Sequence, residues 1–149
     1  MALVDDINND IKAAMKAKAK DKLEALRAVK SALLLAASEK GSDGHVSDDA
    51  GIVVLQRLVK QRKEAADAYN GQNRADLADM EMQQASVIEK YLPAQLSEAE
   101  VANIVEDIIA KTGASSMKDM GKVMGMASQQ LAGKADNKLV SGLVKAKLS

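Results

Sequence analysis

The sequence predicts an all-α protein: an N-terminal antiparallel helical domain of four helices, then a small three-helix C-terminal domain. Three observations carry this. The 149 residues contain no Phe or Trp, and Tyr69 and Tyr91 are the only aromatics, so the core must be Leu, Ile, Val, Met and Ala. With Lys, Glu and Gln around them these residues favour helix, and no stretch shows sustained strand alternation. Apolar residues instead recur at three- and four-residue steps. Third, Pro93 is the only proline. It lacks an amide donor and biases Leu92 away from helical backbone, so a helix arriving there stops. Ser97 and Glu100 then form an S-x-x-E capping box that opens the next helix. The predicted domains are residues 1–93 and 94–149.

The first helix is predicted from Leu3 to about Lys20, with Leu3, Ile7, Ile11, Ala14 and Met15 on its apolar face. Acids lie early in it and lysines late, as the helix dipole favours. Asp21 is the predicted N-cap of a second helix, about Lys22 to Glu39, closed by Gly41 and packing Leu26, Val29, Leu33, Leu34 and Ala37. At ~100° per residue, Arg27 and Lys30 fall inside or beside that apolar face. A loop of Gly41-Ser42-Asp43-Gly44-His45 follows. His45 is the only histidine and there is no cysteine, so neither a metal site nor a histidine-based catalytic role is assigned to it.

Ser47 is the predicted N-cap of a third helix, about Asp48 to Asn70, ended by Gly71. Its apolar positions are Val54, Leu55, Leu58, Val59, Ala65, Ala66 and Tyr69. Arg62 projects into this arc between Leu58 and Tyr69. A guanidinium there either pairs with a carboxylate such as Glu24, Asp79 or Glu81, or lines a second basic groove with Arg27 and Lys30. A fourth helix runs from Arg74 to Leu92, with Leu77, Met80, Gln84, Val87, Ile88 and Tyr91 inward.

Beyond Pro93, a fifth helix is predicted from Glu98 to about Lys111, burying Val101, Ile104, Val105 and Ile108 and ended by Gly113. Ser116 starts the sixth, with Met117, Met120, Val123, Met124, Ala127 and Leu131 on one face. That methionine stripe reads as packing. Its other side gathers Lys118, Lys122, Gly125 and Gln129, with Gly121 at the edge. Two interior glycines weaken a helix by about 1 kcal/mol each relative to alanine. Close approach by a neighbouring helix or by a sugar-phosphate chain would offset that cost. Asp136 caps the seventh helix, which packs Leu139, Val140, Leu143, Val144 and Leu148.

Formal net charge is zero, but residues 111–149 carry seven lysines against Asp119 and Asp136. That asymmetry suits an anionic partner, although lysines on short helices also serve simply as solvated surface. No segment spans a membrane and Met1 to Asp6 lacks signal-peptide character, so the expected location is cytoplasmic. There is no phosphate loop, no dinucleotide fingerprint and no cysteine nucleophile. No catalytic residues, metal or cofactor are assigned.

Tyr91-Leu92-Pro93-Ala94-Gln95-Leu96-Ser97 resembles the junction of the YqeY-like family. Asp119-Met120-Gly121-Lys122-Val123-Met124-Gly125, Gly133-Lys134-Ala135-Asp136 and Val140-Ser141-Gly142-Leu143-Val144-Lys145 resemble the rest of its C-terminal pattern. The part after Pro93 is similar to the tail domain of the B subunit of the glutamine-dependent tRNA amidotransferase. That resemblance implies a carbon–nitrogen ligase label with glutamine as amido donor. It covers the tail, which helps hold tRNA, and not the catalytic cradle. What it implies here is RNA contact at Lys118, Lys122, Gly125 and Lys134 to Lys138. The expected function is therefore a noncatalytic tRNA- or RNA-binding accessory, with a possible protein partner in tRNA aminoacylation or amidation. The alternatives are a helical protein-interaction adaptor and, third, a genuine amidotransferase.

Overall fold

Every periodic segment folds as helix. The computed structural model describes residues 2–39 and 44–149. Among these it contains α1 (Ala2–Lys16), α2 (Lys20–Ala37), α3 (Asp48–Gly71), α4 (Ala75–Glu89), α5 (Glu98–Thr112), a one-turn 3-10 helix (Met117–Asp119), α6 (Met120–Gln130) and α7 (Asn137–Leu148), and no strand. Gly41, the predicted stop of the second helix, lies outside the described residues with the loop positions 42 and 43. The chain falls into two compact units, one ending at Leu92 and one beginning at Pro93.

In the first unit α1 is shorter than its periodicity suggests. Lys18 takes a left-handed backbone (φ 56°), which ends α1 and lets α2 begin at Lys20. A lysine in that conformation costs roughly 1–2 kcal/mol, and no glycine or proline marks the break. The expected Asp21 cap is corrected as well. Ala19 is the N-cap and offers no side-chain bond, while Asp21 lies in the first turn and accepts from Gln83 Nε2 at 3.4 Å. Ser47 does cap α3, accepting from the Ala50 amide at 3.1 Å. The longest helix, α3, pairs most extensively with α4 across a three-residue turn in which Asn73 has φ 58°.

Ile7, Leu26, Val29, Leu55 and Ile88 are fully buried at the centre of this unit, and each such side chain contributes about 1.5–3 kcal/mol. Gly51 is buried where α1 meets α3. A Cβ there would stand 2.6 Å from the Leu3 side chain, so the glycine leaves room for that leucine. Met15, Leu34 and Met80, expected inward, are exposed (54%, 61% and 54%). They lie at the margins of their apolar arcs, where the neighbouring helix does not reach.

In the second unit, Ser97 Oγ accepts from the Glu100 amide at 3.2 Å, and Glu100 Oε1 accepts from the Ser97 amide at 3.3 Å. The capping box is thus complete at both bonds. Gly113 ends α5 in the left-handed conformation (φ 69°). Val101, Val105 and Ile108 of α5, Val123 and Ala127 of α6, and Val140, Val144 and Leu148 of α7 form one buried cluster. The predicted sixth helix begins as the 3-10 turn at Met117, whose side chain is exposed rather than packed. Leu96 N donates to the Lys134 carbonyl at 3.0 Å, and Gln95 Nε2 donates to the Gly133 carbonyl at 2.7 Å. These bonds tie the segment before α5 to the turn between α6 and α7.

Candidate functional site

The packed face of α6 is Val123, Ala127 and the half-buried Met120 and Met124, so its opposite face turns to solvent. Lys122, Gly125 and Gln129 stand there, with Lys118 just ahead on the 3-10 turn, and all four are exposed. A Cβ placed on Gly121 or Gly125 would meet nothing within 4 Å. No neighbouring helix therefore approaches these glycines. Their cost to the helix is met by no internal contact, and the backbone between the lysines is open.

Lys134 and Lys138 are exposed on the connection and on the first turn of α7. The Lys134 backbone is fixed on both sides, its amide donating to Leu131 O at 2.9 Å and its carbonyl accepting from Leu96. Gly133 permits the turn with φ 75°. None of Lys118, Lys122, Lys134 and Lys138 pairs with a carboxylate among the described residues, whereas Lys147 pairs with Glu106 of α5. Asp136 caps α7 as expected: its carboxylate accepts from Lys138 N at 3.4 Å, so the amides opening α7 are not an open anion site.

Of the cations singled out in the first unit, Arg62 is half-buried. Its partner is not a carboxylate. Nε donates to Gln84 Oε1 at 3.0 Å and Nη1 donates to the Leu58 carbonyl at 3.1 Å. A neutral amide on the facing helix satisfies the guanidinium without burying a second charge. Arg27 is exposed, with no ion pair among the described residues, because the packed face of α2 is centred on Ala25, Leu26, Val29 and Leu33. Lys30 is also exposed. Two further polar contacts in this unit were not expected from the sequence. Lys63 pairs with Glu89 at 2.5 Å across α3 and α4. The half-buried Tyr91 donates its hydroxyl to Asp10. Burial, then the bond and negative charge of Asp10, then Asp6, push the Tyr91 phenol well above the ordinary tyrosine range. Nothing in local sequence spacing announces a pair 81 residues apart.

Among the described residues no three His, Cys, Asp or Glu side chains stand close enough to hold a metal ion. No helix there is long and apolar enough to cross a membrane.

The family described as Yqey-like protein matches residues 4–148. The chain belongs to the YqeY-like family. Among curated proteins, this YqeY-like chain is 29% identical over 134 residues to "Altered inheritance of mitochondria protein 41, mitochondrial" of Meyerozyma guilliermondii, covering 86% of this chain and 68% of that protein. It is 33% identical over 96 residues to a glutamyl-tRNA(Gln) amidotransferase subunit of Thermococcus gammatolerans. That match covers 62% of this chain but 15% of the archaeal protein. The motif resemblance thus extends over nearly the whole chain, and the kinship with amidotransferase subunits is partial.

Proposed function

We propose that this protein is a noncatalytic accessory that binds tRNA through the α6 face and the turn leading into α7. The supporting observation is the open glycine–lysine surface: Gly121 and Gly125 uncovered, flanked by exposed Lys118, Lys122, Lys134 and Lys138 without carboxylate partners. A phosphate reaches such a backbone without meeting a side chain, and lysine point charges hold it. The partial kinship with a glutamyl-tRNA(Gln) amidotransferase subunit points to tRNA rather than another polyanion. A protein of the aminoacylation or amidation machinery is the natural second partner, and the cytoplasm the natural place of action. The family's ligase label describes larger enzymes, and this chain offers no nucleophile set to carry that chemistry.

The second unit has no aromatic residue, so base stacking contributes nothing there and contacts go to backbone and shape. Affinity is expected in the roughly 10⁻⁴–10⁻⁶ M range and should fall steeply with salt. Lys122→Glu combined with Lys134→Glu should weaken tRNA binding in a filter assay and leave the thermal midpoint nearly unchanged. If the wild-type protein shows no salt-sensitive association with tRNA, the face is better read as the docking surface of an acidic protein.

A further inference from the structure

A cleft of about 280 Å³ opens in the first unit between α1, α2 and the segment just before α3. Its floor is apolar: Ile7, Leu33 and Val46 are buried there. Leu34, a large leucine 61% exposed, forms part of the wall. Lys30, His45, Asn8 and Asp5 are its polar lining. Lys30 is a residue that the helical wheel places at the margin of an apolar face. The cleft gives that position a purpose, because a cation at the rim of an apolar hollow complements an amphiphilic anion. At ~30 Å³ per water-sized group, the volume holds a ligand of about nine heavy atoms, near the lower end of ligand pockets.

We propose that this cleft binds a medium-chain aliphatic monocarboxylate, its chain on Ile7, Leu33, Leu34 and Val46 and its carboxylate at Lys30. An amine is disfavoured by Lys30. Asp5 opposes the anion, but it is already engaged in another interaction and lies in the first turn of α1, where the helix dipole offsets its charge. The cleft belongs to the first unit and the lysine face of α6 to the second, and the proposal does not depend on RNA binding.

Calorimetric titration of the full chain with butanoate, hexanoate and octanoate tests this. Affinity should rise about fourfold per methylene until the cleft is full. Octanoate should bind at least tenfold tighter than octanol, and octylamine most weakly. Lys30→Met should erase the preference of octanoate over octanol, and Asp5→Asn should tighten octanoate binding. Ala37→Phe, which fills the cleft from its α2 wall, should abolish binding, with circular dichroism confirming that each variant is folded. The proposal is overturned if octanoate does not saturate, if octanol or octylamine binds as well, or if folded Lys30→Met binds octanoate like the wild type.

Discussion

Tyr91 and Arg62 show how single side chains tie the first unit together. Tyr91, just after α4, reaches Asp10 of α1. Its phenol keeps its proton in the folded state at a pH where the unfolded chain, with an ordinary value near 10, has lost it. The folded state then binds more protons, so stability is full below about pH 10 and declines as pH rises above it. Tyr91→Phe should lower stability at neutral pH by about 1 kcal/mol and flatten that alkaline decline in urea titrations at several pH values. Arg62 bonds Gln84 and a backbone carbonyl. Arg62→Ala should therefore cost about 1–2 kcal/mol, nearer a pair of hydrogen bonds than the roughly 3–5 kcal/mol of a broken buried ion pair. Chemical denaturation gives the value, and Gln84→Ala should cost less in the Arg62→Ala background than alone.

Helix ends divide into those that local chemistry dictates and those it does not. Ser47, the Ser97–Glu100 box and Gly113 act where the sequence placed them, because a cap needs only residues within a turn of the terminus. The break at Lys18 carries no such signal, and it lies between two helices that pack on one another. The α6 glycines are the reverse case, since they weaken the helix on its exposed side, where no neighbour packs. Gly125→Ala should therefore raise stability by up to about 1 kcal/mol in thermal or urea unfolding. On the proposed reading Gly125→Leu should leave the fold intact and weaken tRNA binding by covering the backbone. Unchanged binding by a folded Gly125→Leu protein would remove the glycine from the site.

For the whole molecule, each unit has its own buried cluster, and the backbone between Glu89 and Glu98 is not helical. Limited proteolysis should cut in this segment and release a C-terminal fragment beginning near Ala94. The hydrogen bonds of Gln95 and Leu96 to the α6–α7 turn should slow cleavage beyond that point. Resistance of the whole 90–97 stretch to several proteases would argue against an independent C-terminal domain. The lysine face was legible because the apolar spacing of Met120, Val123, Met124 and Ala127 marks the packed side of α6 and leaves the lysines opposite. The partners of Arg62 and Tyr91 were not legible, because they come from other helices.

The sequence by itself determined that the described chain is helical, where most helices stop, and which family it joins. Those properties rest on composition, on caps within a few residues, and on contiguous motifs. Tertiary structure alone decided that Arg62 meets an amide instead of a carboxylate, that Arg27 faces water, and that a cleft opens beside Lys30. A helical wheel gives the angle of a side chain on its own helix. It does not give the angle at which the next helix crosses, and that crossing determines which margin residues are covered and what they touch.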